Sequence, residues 1–213
     1  MHVEFLVEEL SAKKALDILL LHLFPADGPH SFETYSLESK TQMLDALPAR
    51  LRDYASMMRD WADLRVVVLL DRDEQDCRAL KLQLETLAAS AGLTTKAASA
   101  STGRFQVVNR VVCEELEAWY LGDEAAVTAA YDRVHPHHFK VAYATLPQPD
   151  PDAVRGGTWE AFQRVLAEAG YEAPRTKQKW AERIAPHLDP ARNQSASFQC
   201  FWQGVQALLA QGV

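Results

Sequence analysis

The strongest constraint in this sequence is an apolar run, LRVVVLL, which extends from Leu64 to Leu70 and ends at Asp71. Valine and leucine follow one another there without the polar alternation of a half-exposed strand. Such a run is typical of a strand buried on both faces, as in a parallel sheet covered by helices. We therefore expect this segment to be an inner strand of an α/β fold.

Further strand patterns lie at residues 3–7, 31–37 and 105–113, and helical patterns separate them. The helical pattern over residues 41–58 contains Pro48, which predicts a kink or a break. Strands that alternate with helices imply a parallel sheet with right-handed crossovers. After a proline-rich stretch at residues 135–157, three more helical patterns cover residues 159–170, 177–187 and 197–211. We expect residues 1–124 to form an α/β core and residues 125–213 a mostly helical portion packed on it, in one compact domain.

Composition narrows the class of protein. The 213 residues suit one domain that needs no disulfides, and the three cysteines are scattered, which indicates reduced thiols. The first ten residues lack the basic region of a signal peptide, and the apolar run at residues 15–24 is about half a membrane span. We therefore expect a cytoplasmic protein without a membrane segment.

Charge is unevenly distributed along the chain. Residues 1–124 contain 13 Lys and Arg against 21 Asp and Glu, whereas residues 125–213 contain 9 against 8. This balance argues against a non-specific DNA-binding protein, which would show a basic stripe. The acidic half is compatible with a group of metal-binding carboxylates, and equally with an acidic solvated surface.

Carboxylates follow two of the predicted strands. Asp71 and Asp73 end the buried strand, and Glu8 ends the first one. In an extended chain, residues two apart point the same way, so both aspartates would face one spot about 6–7 Å apart. Ligands of open α/β sheets bind at this edge, and clustered carboxylate oxygens suit Mg²⁺ or Mn²⁺. We predict a metal site formed by Glu8, Asp71 and Asp73.

Other interpretations of the aspartate pair remain open. Asp71 could instead cap the following helix. A phosphatase of the haloacid-dehalogenase type is disfavoured, because Glu74, Gln75 and Asp76 follow the pair. A calcium loop is excluded, since the run from Asp71 lacks glycine at its sixth position and has Leu82 at its twelfth.

Glu115 and Glu117 have the same two-residue spacing as the aspartates. Both could join the metal site if the chain is extended there, but only one could do so if a helix has begun. They would otherwise be ordinary glutamates in the first turn of a helix. Trp119 is expected to belong to the core.

Two further groups of residues have alternative interpretations. Arg175, Lys177 and Lys179 could contact a nucleic-acid backbone or form a merely solvated basic face. The histidines of residues 135–138 could bind a metal, although imidazoles in a proline-broken loop often lie in solvent.

Several segments resemble known families. Residues 5–11, FLVEELS, resemble the opening of Toprim domains, and Val66 to Asp73 resembles their DxD strand. ELEAWYLGD at residues 115–123 and NQSASF at residues 193–198 resemble the uncharacterised domain-of-unknown-function family 4276, whose members are Toprim-like. The resemblance implies a Toprim-like, Rossmann-like sheet flanked by helices.

The resemblance also implies a function. It suggests a Mg²⁺-dependent nuclease, with relatives often paired with ABC-type or OLD-type ATPases in defence against phage. It carries over Glu8, Asp71 and Asp73 as site residues, and more loosely Asp76 and the two glutamates at residues 115 and 117. The glycine that usually follows the first glutamate is Glu9 here, so either the turn differs or Glu9 is the ligand.

We therefore predict a hydrolase of nucleic-acid phosphodiesters, in which Glu8 is a metal ligand or the general base. Glu115 or Glu117 would hold a second ion, about 3.5–4 Å from the first. The main alternative is a non-catalytic module that docks on an ATPase partner, and a small-molecule phosphatase is a third interpretation. The amphipathic last helix would pack on its own sheet or form a homodimer.

Overall fold

A parallel sheet of four strands organises the chain. The computed structural model describes residues 1–73, 75–101, 103–172 and 177–212. The strands are β1 (His2–Val7), β2 (Ser31–Ser36), β3 (Leu64–Asp71) and β4 (Val107–Val112). Their order across the sheet is β2-β1-β3-β4, and every pairing is parallel. The predicted α/β class and the predicted inner position of the Leu64 strand are confirmed.

Helices connect the strands and continue beyond them. They are α1 (Leu10–Leu19), α2 (Lys40–Asp60), α3 (Cys77–Ser90), α4 (Glu117–Leu121), α5 (Glu124–Ala130), α6 (Thr158–Glu168), α7 (Gln178–Ile184) and α8 (Ala196–Leu209). Pro48 lies inside α2, and the helix continues through it. Within the described residues, none of the helices combines the length and apolar character needed to span a bilayer.

The two faces of the sheet bury separate apolar clusters. On one face, Leu6 and Val68 pack with the apolar sides of α2 and α3. On the other face, Phe5 and Val67 pack with α1, α8 and side chains from most of the chain beyond residue 112. Successive strand residues therefore enter opposite layers, which explains why β3 is continuously apolar from Val66 to Leu70.

The C-terminal helices complete the second layer. α8 contacts β4, and α7 contacts α1. Trp119 is fully buried there, as expected, with its ring 5.1 Å from the rings of Phe198 and Phe201. Residues beyond 124 thus share one apolar core with the N-terminal strands.

Candidate metal centre

The carboxyl ends of three neighbouring strands bring acidic residues together. Val7 pairs with Leu69, so β1 ends beside β3, and Asp71 pairs with Val112 at the end of β4. The chain leaves these ends through Glu8 and through the bend that leads into α4. The crevice beyond such strand ends is the usual ligand site of an open parallel sheet.

Asp71 lies at the centre of this group. Asp71 is only 9% exposed. Burial raises the pKa of its carboxyl well above the ordinary range, and the negative charges of Glu8 and Glu117 add to this shift. It does not cap α3, because the Asp76 side chain accepts the hydrogen bond from the Ala79 N–H at 2.7 Å. The helix-cap interpretation of Asp71 is therefore wrong.

Glu8 faces the same space from β1. Its Oε2 atom is buried and has no hydrogen-bond partner among the described residues. Burial raises the pKa of Glu8, the positive charge of Lys40 opposes this shift, and the negative charge of Asp73 adds to it. A buried carboxylate oxygen without a donor is costly unless a cation approaches it.

Glu117 closes the group from the other side. It is the first residue of α4 and is 1% exposed, and its Oε2 atom also lacks a hydrogen-bond partner within the described ranges. Burial raises the pKa of Glu117 to about 7, although the charge of Lys177 acts in the opposite direction. Of the two glutamates, Glu117 is the one that faces Asp71.

Glu115 lies in the bend before α4 and is neither extended nor helical. One of its carboxylate oxygens accepts a hydrogen bond from Lys177 Nζ at 2.7 Å, and the other accepts one from the Trp159 N–H at 3.1 Å. Both glutamates therefore approach the same lysine, an arrangement that neither a strand nor a helix pattern predicts.

Asp73 lies at the rim of this acidic group, where the group meets solvent. Its backbone φ is 50°, in the left-handed region, so the chain is no longer extended after Arg72. Its half-exposed carboxylate forms an ion pair with Lys40. The expectation that Asp71 and Asp73 point the same way along an extended chain is wrong, because the chain turns between them.

Lys177 enters the acidic group from the segment before α7. Its Nζ lies 3.8 Å from Glu9, 2.7 Å from Glu115 and 3.9 Å from Glu117. Burial lowers the pKa of Lys177, but the surrounding carboxylates outweigh burial and raise it above its ordinary value. Its predicted place on a basic surface is therefore wrong.

Of the other two members of that basic group, the structure describes Lys179. Lys179 is exposed on α7, and Arg175 lies outside the described residues. A basic face around these two residues stays a prediction.

Glu9 fits the turn without strain. Its φ of −108° and ψ of 157° are extended, a conformation open to any residue, and Ser11 Oγ donates to its carboxylate at 2.9 Å. The turn after β1 thus does not need the glycine of the resembling domains. At the equivalent position two residues beyond β2, β3 and β4, the chain has Glu38, Asp73 and Glu114, all with φ between 50° and 66°.

The donor set fits a divalent cation, although no three His, Cys, Asp or Glu side chains in the described ranges already form a metal-binding group. Glu8 and Glu117 each offer an unpartnered buried oxygen, and the Asp71 carboxyl is crowded by negative charge. An ion such as Mg²⁺ would satisfy these oxygens and relieve their repulsion. Lys40 and Lys177 supply the positive charge near them.

A cleft of about 560 Å³ opens on the side of the acidic group where Glu9 and Lys177 lie. Glu9, Ser11, Ser36 and Lys177 are among the residues that line it. It is large enough to hold part of an extended substrate.

The histidines at residues 135, 137 and 138 lie apart from this group. Their ring centroids are 4.0–5.9 Å from one another, and His138 Nδ1 accepts the His135 N–H at 3.0 Å. His137 and His138 belong to a 3₁₀ helix at Pro136–Val141, His135 caps its N-terminus, and none of the three joins the carboxylates in the described part of the chain.

The family model for a domain of unknown function, DUF4276, matches residues 7–206. Among solved structures, the C-terminal region of the Xanthomonas campestris pv. campestris OLD protein is similar at 13% identity, with a TM-score of 0.45 over 99% of this chain and 97% of that chain. At that distance the similarity supports no transfer of function. No curated protein matches the sequence.

Proposed function

This chain belongs to the DUF4276 family, as its motifs predicted, and we propose that it is a divalent-metal-dependent hydrolase of nucleic-acid phosphodiesters. One observation carries the proposal. Glu8, Asp71 and Glu117 come from three separate segments and converge at the carboxyl edge of a parallel sheet, with unpartnered buried oxygens on two of them. Such a group is costly for folding unless it serves a ligand.

These three carboxylates would hold the metal, and Asp73 or Glu115 would hold a second ion at the rim. The bound metal would activate water and stabilise the charge that develops on the phosphoryl group. Burial raises the pKa of Glu8, which is the direction of shift that favours a general base. Lys177 orients Glu115 by a direct hydrogen bond, and its positive charge opposes the rise that burial causes in the pKa of Glu117.

The nucleic-acid substrate is proposed from the Toprim resemblance of the Glu8 and Asp71 segments. The same resemblance suggests that the protein works in the cytoplasm with an ABC-type or OLD-type ATPase, in defence against phage. The cleft lined by Glu9 and Lys177 is compatible with a polymeric substrate.

The test is cleavage of plasmid DNA, single-stranded DNA and RNA by the full chain with Mg²⁺ or Mn²⁺. Asp71→Asn and Glu8→Gln are the site variants, and Glu33→Gln, an exposed acid on β2, is the matched control. We expect EDTA and both site variants to abolish cleavage, while the control retains it. Cleavage that persists in Asp71→Asn would contradict the proposal, and hydrolysis of p-nitrophenyl phosphate alone would indicate a small-molecule phosphatase.

The second candidate is a non-catalytic module that binds an ATPase partner. The observation that favours it is the placement of Lys40 and Lys177, which already neutralise part of the acidic group without a metal. Isothermal titration calorimetry separates the two functions. Absence of any heat of Mn²⁺ binding to the wild-type chain would favour the module.

A further inference from the structure

α4 carries the most deeply buried carboxylate of the site, but this helix is too short to be stable without contacts from other segments. The helix has five residues, Glu117–Leu121, and all five are buried. Isolated helices of this length are unstable in water, and the last carbonyls of any helix lack partners within it. Donors from elsewhere must therefore bind these carbonyls, and the Tyr143 hydroxyl does so for Leu121 O at 2.9 Å.

The segment at residues 193–197 supplies the other donors. Asn193 Nδ2 donates to Trp119 O at 2.8 Å, and the Gln194 N–H donates to Gly122 O at 2.7 Å. The approach is close, because a Cβ on Gly122 would lie 2.4 Å from Asn193 Oδ1. The side chain of Asn193 thus fixes where the end of α4 lies.

Asn193 is itself held rigidly. Its Oδ1 accepts the Ser195 N–H at 2.9 Å, and the residue is 3% exposed. Asp152 accepts hydrogen bonds from the hydroxyls of Ser195 and Ser197 at 3.0 and 2.8 Å. Ser197 Oγ also accepts the indole N–H of Trp119 at 3.1 Å. The two motifs that resemble the family in sequence are therefore in direct contact.

We propose that Asn193 is a positioning residue for Glu117. By binding Trp119 O, two residues beyond Glu117, it fixes the rotation and the axial position of α4 and so aims the carboxylate at Asp71. This role rests on the proposed metal-dependent function. The segment at residues 193–197 would thus contribute to metal binding, although none of its side chains contacts the acidic group.

The test compares two isosteric changes that each replace an amide donor by a carboxylate. Asn193→Asp keeps the acceptor for Ser195 but loses the donor to Trp119 O. Gln199→Glu is the matched control, since Gln199 Nε2 donates to Pro190 O and Asn193 O at 2.8 Å and thus supports the same segment without contacting α4. The readouts are the Mn²⁺ dissociation constant, amide hydrogen exchange of residues 118–122 in EDTA, and global stability in urea.

We expect Asn193→Asp to weaken Mn²⁺ binding about tenfold, as loss of an orienting partner of a metal ligand does. Exchange at residues 118–122 should accelerate more than in Gln199→Glu, even where the two variants are equally destabilised. Unchanged Mn²⁺ affinity in Asn193→Asp, or equal loss in both variants, would overturn the positioning role alone. A wild-type chain that binds no Mn²⁺ would overturn the proposed function and this role with it, and the exchange data would then still show whether Asn193 fixes α4.

Discussion

The Lys177 ammonium lies 3.9 Å from Glu117 Oε2, although the Glu117 side chain is only 1% exposed. The same ammonium donates to Glu115 and approaches Glu9. A cation belonging to the chain itself thus lies between Glu117, a proposed metal ligand, and the neighbouring carboxylates of Glu9 and Glu115. This placement makes the stability of the metal-free protein depend on charge balance at the strand ends.

Replacing Lys177 by methionine should destabilise the metal-free protein. Three carboxylates would then face one another without their cation, and we expect the free energy of unfolding to fall by about 2–4 kcal/mol in EDTA. Added Mn²⁺ should restore most of the loss, since it binds only the folded site. Urea denaturation measures both effects, and Lys179→Met is the control because Lys179 is exposed on α7. Equal losses in the two variants would contradict the expectation.

Stability of the metal-free protein should decrease as pH rises from about 5 to 8. Burial raises the folded-state pKa of Glu117 to about 7, and the pKa of Asp71 is raised as well. The folded state therefore binds protons at these carboxyls more tightly than the unfolded state does. The stability gained from these protons is complete below the unfolded-state pKa, and it is lost as pH rises through the folded-state pKa. For Glu117 the loss is on the order of 3 kcal/mol.

Urea denaturation in EDTA across this pH range tests the prediction. Glu117→Gln should reduce the slope, because the amide does not titrate. A stability that increases with pH, or a slope unchanged by the substitution, would contradict it.

Glu38→Gly should stabilise the fold. Glu38 has a φ of 66°, which is strained for a residue with a Cβ and unstrained for glycine. We expect a gain of about 1 kcal/mol in the free energy of unfolding, measured by urea denaturation. Glu38→Ala is the control, because it removes the carboxylate and keeps the strain. A gain of the same size in both variants would assign the effect to charge.

We expect Arg192→Met to destabilise the protein strongly, although the Arg192 side chain is almost half exposed. Its guanidinium donates to both oxygens of Asp123, at 2.7 and 3.1 Å, and the Asp123 side chain is fully buried. Loss of the cation leaves a buried carboxylate without its counter-ion, at a cost of about 2–4 kcal/mol. Thermal unfolding of this variant beside Arg78→Met, an exposed change on α3, measures it. Similar melting temperatures for the two variants would show that water can take the place of the Arg192 guanidinium beside Asp123.

Local pattern was sufficient for the sheet. The apolar run at Leu64–Leu70 identified the inner strand, and its continuity reflects burial on both faces, which no long-range information is needed to recognise. The same pattern predicted that Asp71 and Glu8 lie at one edge of the sheet, because the carboxyl ends of parallel strands meet there.

Local pattern was insufficient where distant segments meet. Lys177 resembled a surface cation because its sequence neighbours are basic, whereas three carboxylates from two other segments surround it. The turn at Asp73 was missed because left-handed backbone is imposed there by the loop, in which the Asp73 N–H donates to Glu114 O at 3.0 Å. Asp is enriched in that conformation but adopts it in only a minority of cases, so its presence alone does not predict the turn.

The packing of α7 on α1 and of α8 on β4 sets an order for folding during synthesis. The strands and the acidic residues are translated first, but the face of the sheet that α8 covers stays apolar and open until residues 196–209 are available. Lys177 and Asn193 also arrive late. Until these residues are translated, the carboxylates lack Lys177 and Asn193 and one face of the sheet lacks its cover, and an exposed apolar surface of this kind favours aggregation.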